Sequence, residues 1–328
     1  MTPAKKKRNY TIDALKAVTA WFVVLNHAYF PGAFGQYVAL ISHFASPIFF
    51  ITAGYFAVHT PSSKTIKSIK KMLRYIAFAY VLNLIRIFIM KDCDFGAFCA
   101  YFADKIFTVK HMLAFLFINE TLVSGVVWFL FTMLYCYLLR LLLKRKTLIK
   151  LSYFLTAFSF IIVIAASVFH FYVPINNVWI RGIPFFAIGG YIRLYLERES
   201  NPMSRMKAIL IALFGFIILN ISYFTNTPLW HVGTLFMSPA LYYIACRSDI
   251  KKNILCPLGF KYSFMVYILH PIVIHVYDFY RQSPGLIESW LRPFFIIILT
   301  ILSALLYYLI KDSIVWGIKQ LRLKLSNN

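Results

Sequence analysis

Negative charge is what this sequence lacks most. Only 11 Asp and Glu stand among 328 residues, against 34 Lys and Arg, and charged residues of all kinds make up 14% of the chain. A soluble domain carries roughly 25% charged residues. A water-exposed surface cannot be built from this composition, so lipid must supply most of the solvent. Cysteine is also sparse, with five residues at 93, 99, 136, 246 and 256, none at a metal-ligand spacing. Cys93 and Cys99 fall in an expected outer loop, where a disulfide and free thiols are both open readings. His270 and His275 lack the i,i+4 spacing of a helical zinc motif, so no metal site is expected. No internal repeat and no long soluble stretch interrupts the pattern.

What is present is hydrophobic, at 61% of residues, and aromatic, at 19%. A membrane-crossing helix needs about 20 mostly apolar residues. Candidate spans are 12–30, 38–58, 75–90, 124–143, 151–169, 179–196, 208–224, 230–246, 262–280 and 290–311. The expected fold is therefore all-α: a polytopic membrane bundle of about ten transmembrane helices, one domain over 1–328. The basic N-terminus, Met1 to Asn9, precedes an apolar run with no convincing cleavage site, which reads as a retained first span. Pro47, Pro184, Pro239 and Pro271 fall inside spans and are expected to kink or break them.

The net charge of +23 raises nucleic acid as a partner. The basic residues instead lie in short clusters between apolar stretches, as topology signals do. Apart from Arg86, Lys91, Lys105, Lys110, Arg181, Arg281 and Arg292, they all fall in loops and ends on one side of an alternating topology. That side is expected to be the cytosol. Residues 1–11 and 312–328 then form two basic cytoplasmic termini. The stretch from Lys91 to about Val123 mixes aromatics with scattered charges and reads as one or two amphipathic helices at the outer interface.

The first helix holds three ionisable groups, Asp13, Lys16 and His27. Such groups are costly in lipid and are functional candidates. At ~100° per residue, Lys16 and His27 differ by only ~20° around the axis and are separated by ~16 Å of rise, with Asp13 on the same face. Asp13 and Lys16 are i,i+3 neighbours able to pair. His27 is expected to be a neutral imidazole able to take a proton from a hydroxyl, or else a packing residue bonded across helices. Downstream, Lys64, Lys67, Lys70, Lys71 and Arg74 fall within an arc of ~120° on a helix that Ser62 or Ser63 could cap. Such a stripe suits the phosphates of CoA, and equally suits anionic lipid or topology.

With these residues the chain resembles the integral-membrane acyltransferase family 3, whose members modify surface glycans. Lys16 and His27 are similar to its pattern of a basic residue, ten residues, then histidine, although arginine is commoner at the first position. Phe49-Phe50-Ile-Thr-Ala53-Gly54-Tyr55 resembles its aromatic run into Ser-Gly-Phe or Ser-Gly-Tyr. Lys71-Met-Leu-Arg74 half matches its Arg-x-x-Arg. Trp128-Phe129-Leu130, Arg181-Gly-Ile-Pro184-Phe-Phe-Ala-Ile-Gly189 and Ser263-Phe-Met-Val-Tyr267-Ile-Leu-His270 look like further elements, in the expected order. Lysine at 16 and 71 keeps a point charge but loses the bidentate fork.

The resemblance implies an O-acyltransferase of a bacterial plasma membrane. It would move an acyl group, expected to be acetyl, from cytosolic acyl-CoA to a hydroxyl of an envelope polysaccharide or lipid-linked glycan. It implies His27 as general base, Lys16, Lys71 and Arg74 as acyl-CoA-binding residues, and Asp13 and Tyr55 in support. Trp128 and Arg181 are candidate acceptor-binding residues. Trp128 reads equally as an interfacial tryptophan, and Arg181 as the partner of a carboxylate such as Glu120 or Asp278. Glu120 is also a speculative partner for His27. His270 reads as a structural residue serving backbone groups freed by Pro271, and His231 and His275 as structural. Acyl-CoA is expected as substrate and no permanently bound cofactor is implied. A transporter of polysaccharide or lipid-linked glycan, with its own broken helices and buried charges, is the competing reading, and a non-catalytic membrane scaffold is a third.

Overall fold

The computed structural model describes residues 8–105, 108–119, 121, 127–281 and 285–326, with the side chains of 104, 105, 145, 146, 321, 322 and 324–326 undescribed. The described residues are helical almost throughout and contain no strand. Helix α1 is Tyr10–Leu25, α2 Gly32–Ser42, α3 Ala45–Ala57, α4 Ser62–Met90, α5 Phe95–Lys105, α6 Val109–Ile118 and α7 Trp128–Leu142. Then follow α8 Arg145–Phe169, α9 Ile183–Arg198, α10 Arg205–Thr225, α11 Trp230–Cys246, the short α12 Leu255–Pro257, α13 Ser263–Tyr280 and α14 Leu286–Ser326. Two π-helical turns, Val178–Gly182 and Leu258–Tyr262, lead into α9 and α13.

Six helical stretches are long and apolar enough to cross a membrane: Gly32–Ala57, Ser62–Met90, Thr147–Phe169, Arg205–Thr225, Leu255–Tyr280 and Leu286–Gln320. The other four expected spans are helices α1, α7, α9 and α11, of 16, 15, 16 and 17 residues. Two of them are visibly bounded by what flanks them, α1 and α11. Helix α1 stops at Leu25, Asn26 caps it, and Pro31 and Gly32 (φ +63°) redirect the chain into α2. Helix α11 begins only after Pro228, while the π turn Val178–Gly182 runs without a gap into α9, and the joined helical stretch carries Arg181, Arg193, Glu197 and Arg198 and is less apolar for it. The outer faces of α8, α10 and α14 expose large apolar side chains such as Phe154, Ile161, Phe214, Ile217, Ile298 and Leu302, as suits a lipid-facing surface.

The two ends of the bundle differ chemically. At one end, Asn9 caps α1 and donates Nδ2 to the carbonyls of Ala245 (3.1 Å), Cys246 and Ser248, which fixes the start of α1 on the end of α11. Arg193, Glu197 and His59 link the ends of α9 and α3, and Lys261 bonds Asp312 at 3.2 Å. Arg140 donates to the carbonyls of Ala57, Val58 and Thr60. We call this the basic end. At the far end Tyr37 bonds Asn220, Arg292 makes a bidentate pair with Asp278, and Arg281 pairs with Glu288.

One local detail, the start of α4, departs from the sequence expectations. Pro61, not Ser62 or Ser63, occupies the N-cap of α4, and the basic stripe and the third span are one continuous 29-residue helix. The prolines act as expected at two of the four sites: the span holding Pro47 is broken into α2 and α3 just before it, and the one holding Pro184 switches from a π turn to an α-helix there, while Pro239 and Pro271 lie inside helices. Cys93 and Cys99 are free and exposed. The amphipathic stretch after Lys91 forms α5 and α6.

Close backbone contact holds α3 against α9. A Cβ on Gly54 would lie 1.6 Å from the Phe186 carbonyl oxygen, and one on Gly189 would lie 1.9 Å from that of Ile51. Both motif glycines are thus explained by packing rather than chemistry. A third close approach seats the second π turn on α1, where a Cβ on Gly259 would lie 1.7 Å from the Asp13 carbonyl oxygen.

Candidate active site

Two cavities enter the bundle from its opposite ends. The smaller, about 310 Å³, opens at the basic end and is lined by Lys16, Thr52, Ser68, Lys71, Tyr75, Phe129 and Ser263, among others. The larger, about 1610 Å³, opens at the far end, and its lining includes His27, Gln36, Trp128, Tyr172, Asn176, Tyr223 and Trp230. Among the described residues this second lining contains no Lys, Arg, Asp or Glu. It is a wall of aromatic faces, amides and hydroxyls.

Helix α1 connects the two. Lys16, half-buried on its second turn, faces the basic-end cavity, and His27 faces the other. His27 is not inside the helix as expected. It sits in the turn just past the end, its N–H bonded to the Val24 carbonyl at 2.9 Å. Asp13 is buried at 6% exposure, and its described ion pair is with Arg8 Nε at 2.5 Å rather than with Lys16. Arg8 wins because its guanidinium also lies over the Phe260 ring, 3.7 Å from the centroid, which places it beside Asp13 on the second π turn. Asp13 therefore anchors the start of α1 on the turn that carries Gly259.

The residues expected to bind acyl-CoA divide. Lys71 lines the basic-end cavity at its rim, with Nζ 5.5 Å from the Tyr75 ring centroid. Arg74, one turn farther, is exposed and does not line the cavity. Tyr55 lines neither cavity. Its hydroxyl accepts a bond from Arg193 Nη1 at 3.1 Å, and the Arg193 guanidinium lies 5.1 Å from its ring centre, so Tyr55 fastens α3 to α9 at the basic end.

Of the expected acceptor residues, Trp128 lines the far cavity and Arg181 lies behind it. Arg181 is only 2% exposed. It donates Nη1 to Asn176 Oδ1 and Nη2 to the His43 carbonyl, both at 2.5 Å. Its Cζ lies 5.1 Å from the Trp230 ring centre and 5.9 Å from that of Trp128. Asp278, one of the carboxylates expected to pair with Arg181, is held by Arg292 instead. Glu120, the other, lies outside the described residues. Among the described residues this guanidinium is held by π faces and oxygen acceptors, both of which stabilise a buried cation. Arg181 thus sets the positions of Trp128, Trp230 and Asn176, three residues that do line the cavity.

Several residues of this region carry no strong sequence signal. Asn119 is fully buried and left-handed at φ +47°. Its Oδ1 accepts from the Val178 N–H at 2.7 Å, and its Nδ2 donates to Thr132 Oγ1 at 2.9 Å, so one side chain ties α6, α7 and the first π turn together. Between the cavities stands a wall of rings. His27 and His270 are centred 5.2 Å apart, His270 and Tyr267 5.7 Å, Tyr267 and Phe129 4.7 Å, and Phe129 and Phe50 4.6 Å. His231 is buried with neither ring nitrogen hydrogen-bonded. No group of three His, Cys, Asp or Glu among the described residues is placed to hold a metal ion.

A half-buried imidazole thus lines a polar-aromatic cavity at one end, and two lysines line a narrower opening at the other. Chemically the pair offers a proton acceptor facing hydroxyl-bearing ligands and a cationic entry for a phosphorylated one. A family model described as an acyltransferase domain matches residues 9–310, which takes in both cavities and the helices around them. No curated protein and no solved structure matches the chain.

Proposed function

The chain belongs to the integral-membrane acyltransferase family 3 and is a membrane acyltransferase; from that premise we propose that it carries an acyl group from acyl-CoA at the basic end to a glycan hydroxyl in the far cavity, with His27 as general base. Lys and Arg concentrate in cytosolic loops of membrane proteins, so the basic end faces the cytosol and both termini lie there. The membrane is the plasma membrane of a bacterium, and the acceptor is an envelope polysaccharide or a lipid-linked sugar.

The CoA phosphates meet Lys71 and Arg74 on the exposed face of α4, where a point charge suffices for phosphate. The pantetheine arm enters the basic-end cavity along Lys16 and presents the thioester at the ring wall. On the other side, aromatic faces and amides line a cavity with no described charged side chain, a surface suited to sugar rings and their hydroxyls. His27 takes the hydroxyl proton as the oxygen attacks the thioester carbonyl. The C–S bond breaks, and the proton passes from His27 to the departing thiolate. The products are an acyl ester and CoA. Acetyl is the expected acyl group.

The single observation carrying this reading is the placement of α1, which puts Lys16 on its second turn in one cavity and His27, just past its end, in the other. The test is acetyl-CoA turnover by purified protein in nanodiscs, wild type against His27→Ala, with envelope glycans as acceptors and ester formation read by mass spectrometry. Loss of at least a hundredfold in His27→Ala is expected from removal of a general base. Equal transfer by the two proteins overturns the assignment.

A further inference from the structure

A general base buried among helices needs a partner that fixes its tautomer and steadies the imidazolium it becomes; in many enzymes a carboxylate does this. None of the described ion pairs gives His27 such a carboxylate. Asp13, Glu197, Asp312, Glu288 and Asp278 are engaged with Arg8, Arg193 and His59, Lys261, Arg281, and Arg292. The neighbour of the His27 ring is another imidazole, His270, on α13.

We propose that His270 is the positioning residue of His27, its Nε2 accepting the N–H of His27 opposite the nitrogen that takes the substrate proton. This rests on the reading of His27 as base. Two features of α13 prepare His270 for the role. Pro271 has no N–H and cannot donate to the carbonyl four residues earlier, that of Tyr267. His270 Nδ1 lies 2.7 Å from that carbonyl oxygen. A carbonyl accepts only, so Nδ1 must carry the proton and Nε2 must be an acceptor. The proline thereby sets the tautomer of the histidine before it.

The acceptor so created is spare. His270 is fully buried, and its Nε2 has no hydrogen-bond partner. A buried acceptor without a partner is costly, and such an orphan beside a functional group asks for an explanation. The ring centres of His27 and His270 are 5.2 Å apart, tilted by 31°. Two imidazoles joined edge to edge by one N–H···N bond have ring centres about 5 Å apart, so with His270 held by Tyr267 the adjustment asked of His27 is a rotation about χ2, a soft torsion for histidine. Catalytic hydrogen bonds commonly tighten only when substrate is bound.

In the cycle His270 stays neutral throughout. The acceptor oxygen forms its bond to the acyl carbon while its proton goes to the free nitrogen of His27. The thiolate leaves with the C–S electron pair. The charge on His27 is spread into the N–H···Nε2 bond until the same proton reaches the thiolate.

The test uses the full chain in nanodiscs with acetyl-CoA as donor and water as acceptor, thiol release being the readout. His270→Asn keeps a donor at the Nδ1 position for the Tyr267 carbonyl and removes Nε2, and His270→Gln places an amide near Nε2. Thermal unfolding and gel filtration check that each is folded. We expect His270→Asn to lower kcat about 10- to 100-fold with KM for acetyl-CoA unchanged, partial recovery in His270→Gln, and no further loss when His270→Asn is added to His27→Ala. A folded His270→Asn with wild-type kcat, or losses that multiply in the double variant, would overturn the role of His270 and leave His27 as base. Wild-type turnover by His27→Ala would instead overturn the reading beneath it.

Discussion

Trp128 and Phe129 are adjacent in the chain yet line opposite cavities, Trp128 the large far one and Phe129 the small basic-end one. Helix α7 starts at Trp128, so this step of ~100° turns one ring to each side of the wall. Phe129 is 1% exposed and packs on Phe50, Phe49 and Tyr267. If the acyl group crosses here, Phe129 slows the access of water to the thioester until an acceptor arrives.

The first prediction is that Phe129→Leu leaves transfer near the wild-type rate, whereas Phe129→Ala uncouples it. Thiol release from acetyl-CoA without acceptor should rise severalfold, and ester formation should fall. The truncation also costs about 3–5 kcal/mol of packing, so unfolding temperature is measured alongside. A folded Phe129→Ala protein with unchanged hydrolysis would mean the acyl group takes another path.

Gly54 and Gly189 give a prediction with an internal control. Each presses its Cα on the backbone of the facing helix, at Phe186 and Ile51, and backbone cannot step aside as a side chain can. Alanine at either position should force α3 and α9 apart, costing at least the ~1–3 kcal/mol typical of overpacking. Gly190, the next residue, has its nearest neighbours 3.7 Å from an added Cβ. Gly190→Ala should therefore unfold within a few degrees of wild type, while Gly54→Ala and Gly189→Ala are recovered mostly as aggregate.

Much of this was legible in the sequence, because composition and periodicity carry it. The lipid environment followed from scarce charge, and Lys16 and His27 stood out as polar groups in an apolar run. What could not be read is contact between distant segments. His270 announced itself as the residue before Pro271, yet nothing in residues 263–280 says that its ring would meet His27. The π turns bearing Arg181 and Gly259 leave no periodic signature. Asp13 looked paired with Lys16 because i,i+3 spacing is visible, and the competing Arg8–Phe260 contact is not. Helix α1, expected to run to residue 30, stops at Leu25, since hydropathy averages over the capping Asn26.

Asn119 carries a prediction that separates hydrogen bonding from volume. Its Oδ1 accepts from Val178 while its Nδ2 donates to Thr132 and the Trp128 carbonyl. Asn119→Asp keeps shape and acceptor but replaces the donor with a buried charge, which costs more than a lost bond. Aspartate should therefore destabilise the protein more than alanine does, a reversal of ranking by size, measured by thermal unfolding in one detergent. The same variants should raise KM for the acceptor, since Asn119 holds the turn that carries Arg181 and, through it, Trp128 and Trp230.

Lys71 and Lys16 should fail differently. Lys71 sits at the rim of the basic-end cavity, exposed to solvent, so its attraction to a CoA phosphate is screened and worth about 1 kcal/mol at most. Lys71→Ala should raise KM for acetyl-CoA by about fivefold at low salt and less at high salt, with kcat unchanged. Reversal to Glu should raise KM further, because attraction becomes repulsion. Lys16 is half-buried on α1 where water screens less, and methionine there keeps the length of the chain without its charge. Lys16→Met should raise KM more than Lys71→Ala does, and added salt should barely alter the difference between Lys16→Met and wild type. Steady-state KM at two ionic strengths decides it. Identical salt dependence for the two variants would place both lysines in the same solvent-exposed role and remove Lys16 from the entry path.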